Sequence, residues 1–471
     1  MKWTQAVFFG CLAAAAACSS PGSPTSGTPQ SAGKGASSSS GASSSGDGSN
    51  SGSSGSGSSG SGSSGSVSAS GSSGASSGSN GSSGSSSGGD SGTLGPDATT
   101  TTVAEAPGCG STKLLAVPDD TSAPGPWPVG VKTAMVTMTG GSRPVEVWYP
   151  ATIGSNAGVA QTTYDPVSWL PTSEQQKVLM NPMDDKIQTC DCYRDLPIDS
   201  SHGPYPVVIF LHGTASFRTA SLSTMTTWAS RGFIAVAADH AGLYLADFLV
   251  TLGAGCTGGS GVSYLGGSNL SADVDAMIAE ITGKKAEFAF LGNSADMSRI
   301  GIGGHSQGAS DAASYSNKPN VQIDIPLADL GGTVPPATSA LKSVLVAGGA
   351  SDTVVPYSSD TAAYTGSTAP IKRLVGITGG EHLDVTDLCW QTNAAGLTAI
   401  QVANKDMVCG IGILNSLAKC GNVMPPKAGP EIVNYVTTAA LEETLHCANR
   451  DAAFAALKTK FPQVSDYQHK P

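Results

Sequence analysis

Arg299-Ile300-Gly301-Ile302-Gly303-Gly304-His305-Ser306-Gln307-Gly308-Ala309 is the stretch whose reading decides the fold. Arg299 to Ile302 is short, apolar and alternating, as a strand is, and Gln307 to Tyr315 reads as the start of a helix. Between them Gly304-His305-Ser306-Gln307-Gly308 fits G-x-S-x-G. A strand that turns sharply into a helix with Ser at its apex is a nucleophile elbow. The flanking glycines are expected because the tight turn leaves no room for Cβ atoms. The pattern also occurs by chance at Gly74–Gly78 and Gly84–Gly88, in a Ser/Gly tract. Neither copy has a strand before it or a helix after it, so context singles out Ser306.

The rest of the 471-residue chain bounds the answer. From Ser19 to about Pro107 it is nearly all Ser, Gly, Ala, Thr and Pro, a composition that buries too little apolar surface to offset its ordering entropy. A flexible linker over 18–107 and one large folded domain over 108–471 are expected. A Gly/Ser coil of that length reaches about 50 Å. Met1 to Ala17 reads as a signal peptide, with Lys2 as its positive start and an apolar run, Ala6 to Ala17, too short to span a bilayer. Ala15-Ala16-Ala17-Cys18-Ser19 resembles the lipobox of bacterial lipoproteins, which would make Cys18 the lipidated residue of an outer-membrane or cell-surface protein. Ala15 departs from the usual Leu, so plain secretion is the alternative. The formal charge of −11 argues against nucleic acid or an anionic membrane surface as partner. A monomer, touching membrane only through its anchor, is expected. Apart from Cys11 and Cys18, eight cysteines remain, an even number that in an oxidising compartment suggests up to four disulfides of unstated connectivity. Zinc is disfavoured because Cys190-Asp191-Cys192 lacks C-x-x-C spacing and no His pair accompanies it.

Taken in order, Lys132–Thr139 and Arg143–Tyr149 predict a hairpin around Gly140-Gly141, and 150–204 reads as an irregular surface excursion. Pro206–Leu211, Phe233–Ala238, the elbow strand, Val321–Leu327, Ser343–Ala347 and Ile371–Ile377 are short apolar runs. They alternate with helices, over about Thr219–Ser230 and from Ser271, as N-cap, to about Leu291. That alternation predicts an α/β fold: a mostly parallel sheet with helices on both faces. The chemistry then lies at the strands' C-terminal ends.

A serine nucleophile needs a base and a carboxylate to orient it. Ser306, Asp352 and His382 occur in the Ser…Asp…His order of α/β-hydrolases, each just after a predicted strand. Of the seven histidines, His202, His446 and His469 are expected to be solvated, His212 and His240 to be structural, and His305 to pack beside the nucleophile. His382 sits in the Gly-rich loop after the last predicted strand. Asp329, at the end of the preceding strand, is the alternative acid. The oxyanion donors are expected to be the backbone N–H groups of Thr214 and Gln307.

Phe210-Leu211-His212-Gly213-Thr214-Ala215-Ser216-Phe217-Arg218-Thr219, with Ala229–Phe233 and Val145-Glu146-Val147-Trp148-Tyr149-Pro150, resembles the platelet-activating-factor acetylhydrolase group. The spacing of Ser306, Asp352 and His382, with Gly349-Ala350-Ser351-Asp352, is similar to that of cutinases and poly(ethylene terephthalate) hydrolases. The resemblance, over about Ala134–Asp384, implies an α/β-hydrolase fold and a cofactor-free serine esterase, without a metal, acting on small, lipid or polymer esters. Some acetylhydrolases of this kind take their acid from the earlier strand end, as Asp329 would be. Thr214 stands where polyester hydrolases carry an aromatic residue, and Ser306 where dienelactone hydrolases carry Cys. After His382, residues 388–426 form a Cys-rich insertion expected to be a disulfide-pinned flap or cap, or a plain surface excursion. The rival readings are an exopeptidase or amidase on the same fold, which would need a charged clamp that is not obvious, and a catalytically silent surface-binding module.

Overall fold

The computed structural model describes residues 104–109, 113–180, 188–331, 340–393 and 395–471. The signal peptide, Cys18 and the Ser/Gly tract up to residue 103 lie outside them. Two short strands, β1 (Glu105–Pro107) and β2 (Lys113–Leu115), pair antiparallel.

The hairpin forms as predicted from β3 (Val129–Met138) and β4 (Gly141–Pro150), with Gly140 and Gly141 at φ +76° and +103°. The excursion that follows carries β5 (Thr163–Tyr164), α1 (Thr172–Leu179), β6 (Gln188–Thr189) and β7 (Tyr193–Arg194). Then come β8 (Tyr205–Leu211), α2 (Leu222–Ser230), β9 (Ile234–Ala238), α3 (Leu245–Leu252), α4 (Leu270–Thr282), β10 (Ala295–His305) and α5 (Gln307–Tyr315). The chain continues through β11 (Val321–Leu327), β12 (Ser343–Gly349), α6 (Tyr357–Gly366) and β13 (Ile371–Ile377). It ends with α7 (Ala399–Lys405), α8 (Ile411–Leu417), α9 (Ala428–Leu445), α10 (Asp451–Lys460) and β14 (Val464–Lys470).

The main sheet has ten strands in the order β14-β13-β12-β11-β10-β8-β9-β4-β3-β7. Strands β8 to β13 run parallel, while β4 and β14 pair antiparallel at either side of that block. The parallel strands are buried along most of their length, which is why β8, β9 and β12 read as apolar runs, while β11 and β13 also bury Asp324 and Arg373. On one face α2 packs against α9, and a Cβ on Gly301 would meet Leu441 and Leu445 of α9 within 3.4 Å. On the other, Val274, Met277 and Ile281 of α4 share a core with Ala312 of α5 and Ile302 of β10. The α/β fold with both faces covered is as expected.

Several local expectations change. Asn269, not Ser271, caps α4 through the Ala272 N–H, and the helix stops at Thr282 before a separate 3₁₀ turn, Ala286–Leu291. The strand β14, which carries His469, pairs with β13 at one edge of the sheet. His446 is buried rather than solvated. It stacks on Phe233 at 4.1 Å, its Nε2 lies 3.1 Å from Gly232 O, and burial pushes its pKa down to about 3. His202 is half-buried against Asp199, 2.7 Å away. The excursion is no bland surface loop: Trp169 and Tyr164 are buried, Trp169 Nε1 donates to Asp239 Oδ2 at 2.8 Å, and Tyr164 OH donates to Glu146 Oε1 at 3.0 Å. Buried polar anchors of this kind are invisible to hydrophobic periodicity.

All eight cysteines of the folded domain are paired: Cys109–Cys447, Cys190–Cys192, Cys256–Cys409 and Cys389–Cys420. Four disulfides suit an oxidising, extracytoplasmic compartment. Among the described residues no helix is long and apolar enough to cross a membrane. Cys109–Cys447 joins the start of the domain to the end of α9 across 338 residues. Replacing both with Ser is expected to cost about 2–5 kcal/mol, the range typical of losing a native disulfide, read as a lower urea midpoint under otherwise identical conditions.

The interior also holds charge. Arg231 and Glu442 are fully buried and paired at 2.6 Å, and Arg231 further donates to the carbonyls of Pro118, Asp120 and Ala123, stitching the Pro-rich entry to α9. Asp324 of β11 is fully buried with no well-aligned hydrogen bond to its carboxyl group, so burial, then the nearby Asp329, raises its pKa well above the usual range. A raised carboxyl pKa gives stability that is complete below the unfolded value and declines as pH climbs through the folded one. Asp324→Asn is therefore expected to be more stabilising at pH 8 than at pH 4. Urea titrations of the two proteins at both pH values check the sign.

Candidate active site

Ser306 sits between β10 and α5 at φ +57° and ψ −120°, a backbone state costly for any residue with a Cβ. Its flanking glycines are sterically required. A Cβ on Gly304 would lie 2.4 Å from the Gly308 carbonyl, and one on Gly308 would lie 2.2 Å from Leu211 O. The elbow is thus wedged against the C-terminal end of β8, where the loop from His212 to Thr219 begins. A Cβ on Gly213 would stand 3.0 Å from both Ser306 Cβ and His305 Nδ1. Only glycine lets this loop approach the apex so closely.

His382 Nδ1 lies 2.8 Å from Asp352 Oδ2, and both side chains are buried. The other Asp352 oxygen accepts the N–H groups of Val354 at 2.8 Å and Val355 at 2.7 Å. With a carboxylate accepting at Nδ1, the imidazole proton stays there and the lone pair is left on Nε2. The two loops are bound to each other. Ser351 N donates to Gly380 O at 3.0 Å, and Glu381 Oε2 accepts from Thr353 N and Oγ1 at 3.0 and 2.9 Å. They are bound to the elbow as well: His305 Nε2 meets His382 O at 2.9 Å, with ring centroids 4.7 Å apart. Ser306, Asp352 and His382 are thereby brought to one end of the sheet.

Asp329 is placed differently. Its Oδ1 accepts from Ser310 Oγ at 2.7 Å and Gly331 N at 2.8 Å, while its own N–H donates to Asp360 Oδ1 at 2.9 Å. It braces α5 and α6 and makes no bond to His382 among those described.

The remaining histidines divide by environment. His305 is pushed down to about 3 by burial and the neighbouring His382, and His212 to about 4 by burial and His240, so both stay neutral. His212 Nε2 accepts the His240 N–H at 3.2 Å, so its proton is on Nδ1, donated to Gly213 O at 2.8 Å. Because C=O and N–H oppose each other across a trans peptide, that bond points the Thr214 N–H away from His212. A second Asp–His pair, which sequence order does not reveal, lies behind the loop: His240 Nδ1 is 2.9 Å from Asp273 Oδ2. It is fully buried, and Asp273 also accepts the Thr139 N–H at 2.8 Å. His240 contacts His212, whereas His382 contacts the elbow.

The same loop is anchored by charge. Arg218 Nε donates to Glu146 Oε2 at 3.2 Å, its Nη1 bonds Asp239 Oδ2, and its backbone N–H donates to Asp239 Oδ1 at 2.8 Å. Trp169 stacks on Phe217 at 4.5 Å. Phe217, Gly213, His305 and Thr386 line a small cavity of about 10 Å³ beside the elbow. A larger cleft of about 360 Å³ lies between the excursion and the insertion, lined by Gln188, Thr189, Trp390, Gln391, Asn393 and Lys427 among others. The insertion is pinned twice, by Cys389–Cys420 within itself and by Cys256–Cys409 to the loop after α3.

The family model described as platelet-activating factor acetylhydrolase, isoform II, matches residues 117–243. That segment runs from the Pro-rich entry through the hairpin, β8, the loop beside the elbow and β9. The domain has the α/β-hydrolase fold, and its segment 117–243 is similar to the platelet-activating-factor acetylhydrolases. The match ends before Ser306, so the acetylhydrolase-like part is the segment that carries the loop facing the elbow. Among solved structures, a ferulic acid esterase from Streptomyces cinnamoneus is similar at 19% identity and a TM-score of 0.49, covering 69% of this chain and 92% of that one. None of the curated protein sequences matches.

Proposed function

We propose that this α/β-hydrolase is a serine carboxylesterase, with Ser306 as nucleophile, His382 as general base and acid, and Asp352 as the orienting carboxylate. The observation that carries the reading is the Asp352–His382 pair, 2.8 Å long, on loops hydrogen-bonded to an elbow that holds Ser306 at φ +57°. The acetylhydrolase-like match over 117–243 supports the ester class.

In the proposed reaction His382 Nε2 takes the Ser306 Oγ proton as Oγ bonds to the ester carbonyl carbon. The N–H groups of Thr214 and Gln307 receive the oxyanion, each contributing about 2.7–4 kcal/mol if they behave as comparable donors do. His382 then gives its proton to the leaving alkoxide. A water deprotonated by the same imidazole attacks the acyl carbon, and His382 returns that proton to Ser306 Oγ as the acyl C–Oγ bond breaks and the acid leaves. No cofactor or metal is required by these steps.

The cleft around Trp390 suits the body of an ester, with the insertion forming one wall. Export through residues 1–17, with Cys18 lipidated and 18–107 as tether, completes the proposal and is checked by the mass of the mature N-terminus. The esterase reading is tested with matched p-nitrophenyl esters and p-nitroanilides and with a fluorophosphonate probe. Ester turnover with labelling at Ser306 is expected. Turnover of the anilides alone would move the assignment to an amidase, and no labelling of folded protein would move it to a binding module.

A further inference from the structure

We infer that the Cys-rich insertion acts on the reaction from beneath the base, and that Asp384 is the positioning residue through which it does so. This rests on the reading of His382 as general base. Three consecutive residues around that base are each held by a separate bond. Glu381 N donates to Asp384 Oδ2 at 2.8 Å, His382 O meets His305 Nε2 at 2.9 Å, and Leu383 N donates to Lys419 O at 2.8 Å. Lys419 belongs to the insertion. So does Gly421, whose N–H donates at 2.8 Å to the same Asp384 oxygen that holds Glu381.

One carboxyl oxygen therefore joins the His382 turn to the insertion, and the fit is tight from both sides. A Cβ on Gly421 would stand 2.6 Å from both Asp384 Oδ2 and Gly379 O, and one on Gly429 would stand 1.9 Å from Asp384 O. Val423 lies over Gly379, three residues before His382, where an added Cβ would meet it at 3.0 Å. The Cys389–Cys420 disulfide closes this stretch of insertion immediately before Gly421. Asp384 lies beside it, one carboxylate oxygen and both sulfurs being within 4.8 Å of one another. Burial raises the Asp384 carboxyl pKa, and the Glu381 and Gly421 N–H groups that it accepts act in the opposite direction. The insertion thus clamps the loop whose geometry the proton transfer depends on, besides walling the Trp390 cleft.

A displacement of about 1 Å at a catalytic group costs on the order of 100-fold. Asp384→Ala is accordingly expected to lower kcat on p-nitrophenyl acetate by about 10- to 100-fold and leave KM within about threefold. Asp384→Asn keeps one acceptor oxygen and is expected to stay within about threefold of wild type in kcat. Gly421→Ala is expected to reproduce the Asp384→Ala loss from the insertion side, and it carries the test should Asp384→Ala not fold. An unchanged kcat in Asp384→Ala or Gly421→Ala would overturn the inference. So would an Asn variant as impaired as Ala, or a rise in KM alone, which would make the insertion a substrate wall only. His382→Ala in parallel separates the two levels. If it keeps its activity, the base assignment falls and the clamp with it. If it is inactive while Asp384→Ala is not, the clamp alone falls.

Discussion

Ser306→Ala is expected to lower kcat for p-nitrophenyl acetate by about 10⁴- to 10⁶-fold, the scale on which loss of a triad nucleophile is felt. KM is expected to change little, because the oxyanion donors and the cleft walls remain. The elbow makes the stability readout informative as well. Ser306 sits at φ +57° between Gly304 and Gly308, where a Cβ on either glycine would lie within 2.4 Å of backbone atoms. Alanine carries the same Cβ and keeps the strain, so its unfolding temperature should match wild type. Glycine relieves the strain, and Ser306→Gly is expected to be inactive yet more stable by about 1 kcal/mol. An inactive Ala variant with wild-type stability, beside a stabilised Gly variant, would show the nucleophile and the stored strain at one residue. If Ser306→Ala keeps its activity, the serine mechanism is wrong.

The second large effect separates the two acids. Asp352→Asn is expected to lower kcat by about 10⁴-fold, since an amide facing Nδ1 favours the wrong imidazole tautomer. Asp329→Asn is expected to leave kcat within about tenfold and to lower stability instead, because Asp329 holds Ser310 and Gly331 and not the base. The pair of measurements is kcat and the urea midpoint for both variants. If the Asp329 variant loses activity and the Asp352 variant does not, the acid belongs at the end of β11.

The two arrangements differ in how much of them a sequence exposes. The elbow is local: Gly304, Ser306 and Gly308 must satisfy a turn five residues long, and that constraint is written in consecutive letters. The apolar runs of β8, β9 and β12 are equally local, because a strand buried on both faces is built mostly of apolar residues. Ser306, Asp352 and His382 could be ordered along the chain for the same reason, each following such a run. What the residues do to one another was not legible. That His382 meets Asp352, that Asp329 turns to Ser310, and that His240 pairs with Asp273 depend on which loops the sheet order brings together. Asp384 lies two residues from His382, yet its role depends on Gly421, 37 positions further on.

By itself, then, the sequence determined the α/β class, the strained serine, the candidate acid and base, and an even set of cysteines, since backbone conformation and burial act over a few residues. Only the tertiary structure decided the carboxylate partner, the four disulfide pairings, the burial of His446 and Trp169, and the clamp beneath His382. Those are set by hydrogen bonds and side-chain contacts between segments far apart in the chain, whose cost or benefit appears only when the sheet and its loops have closed around them.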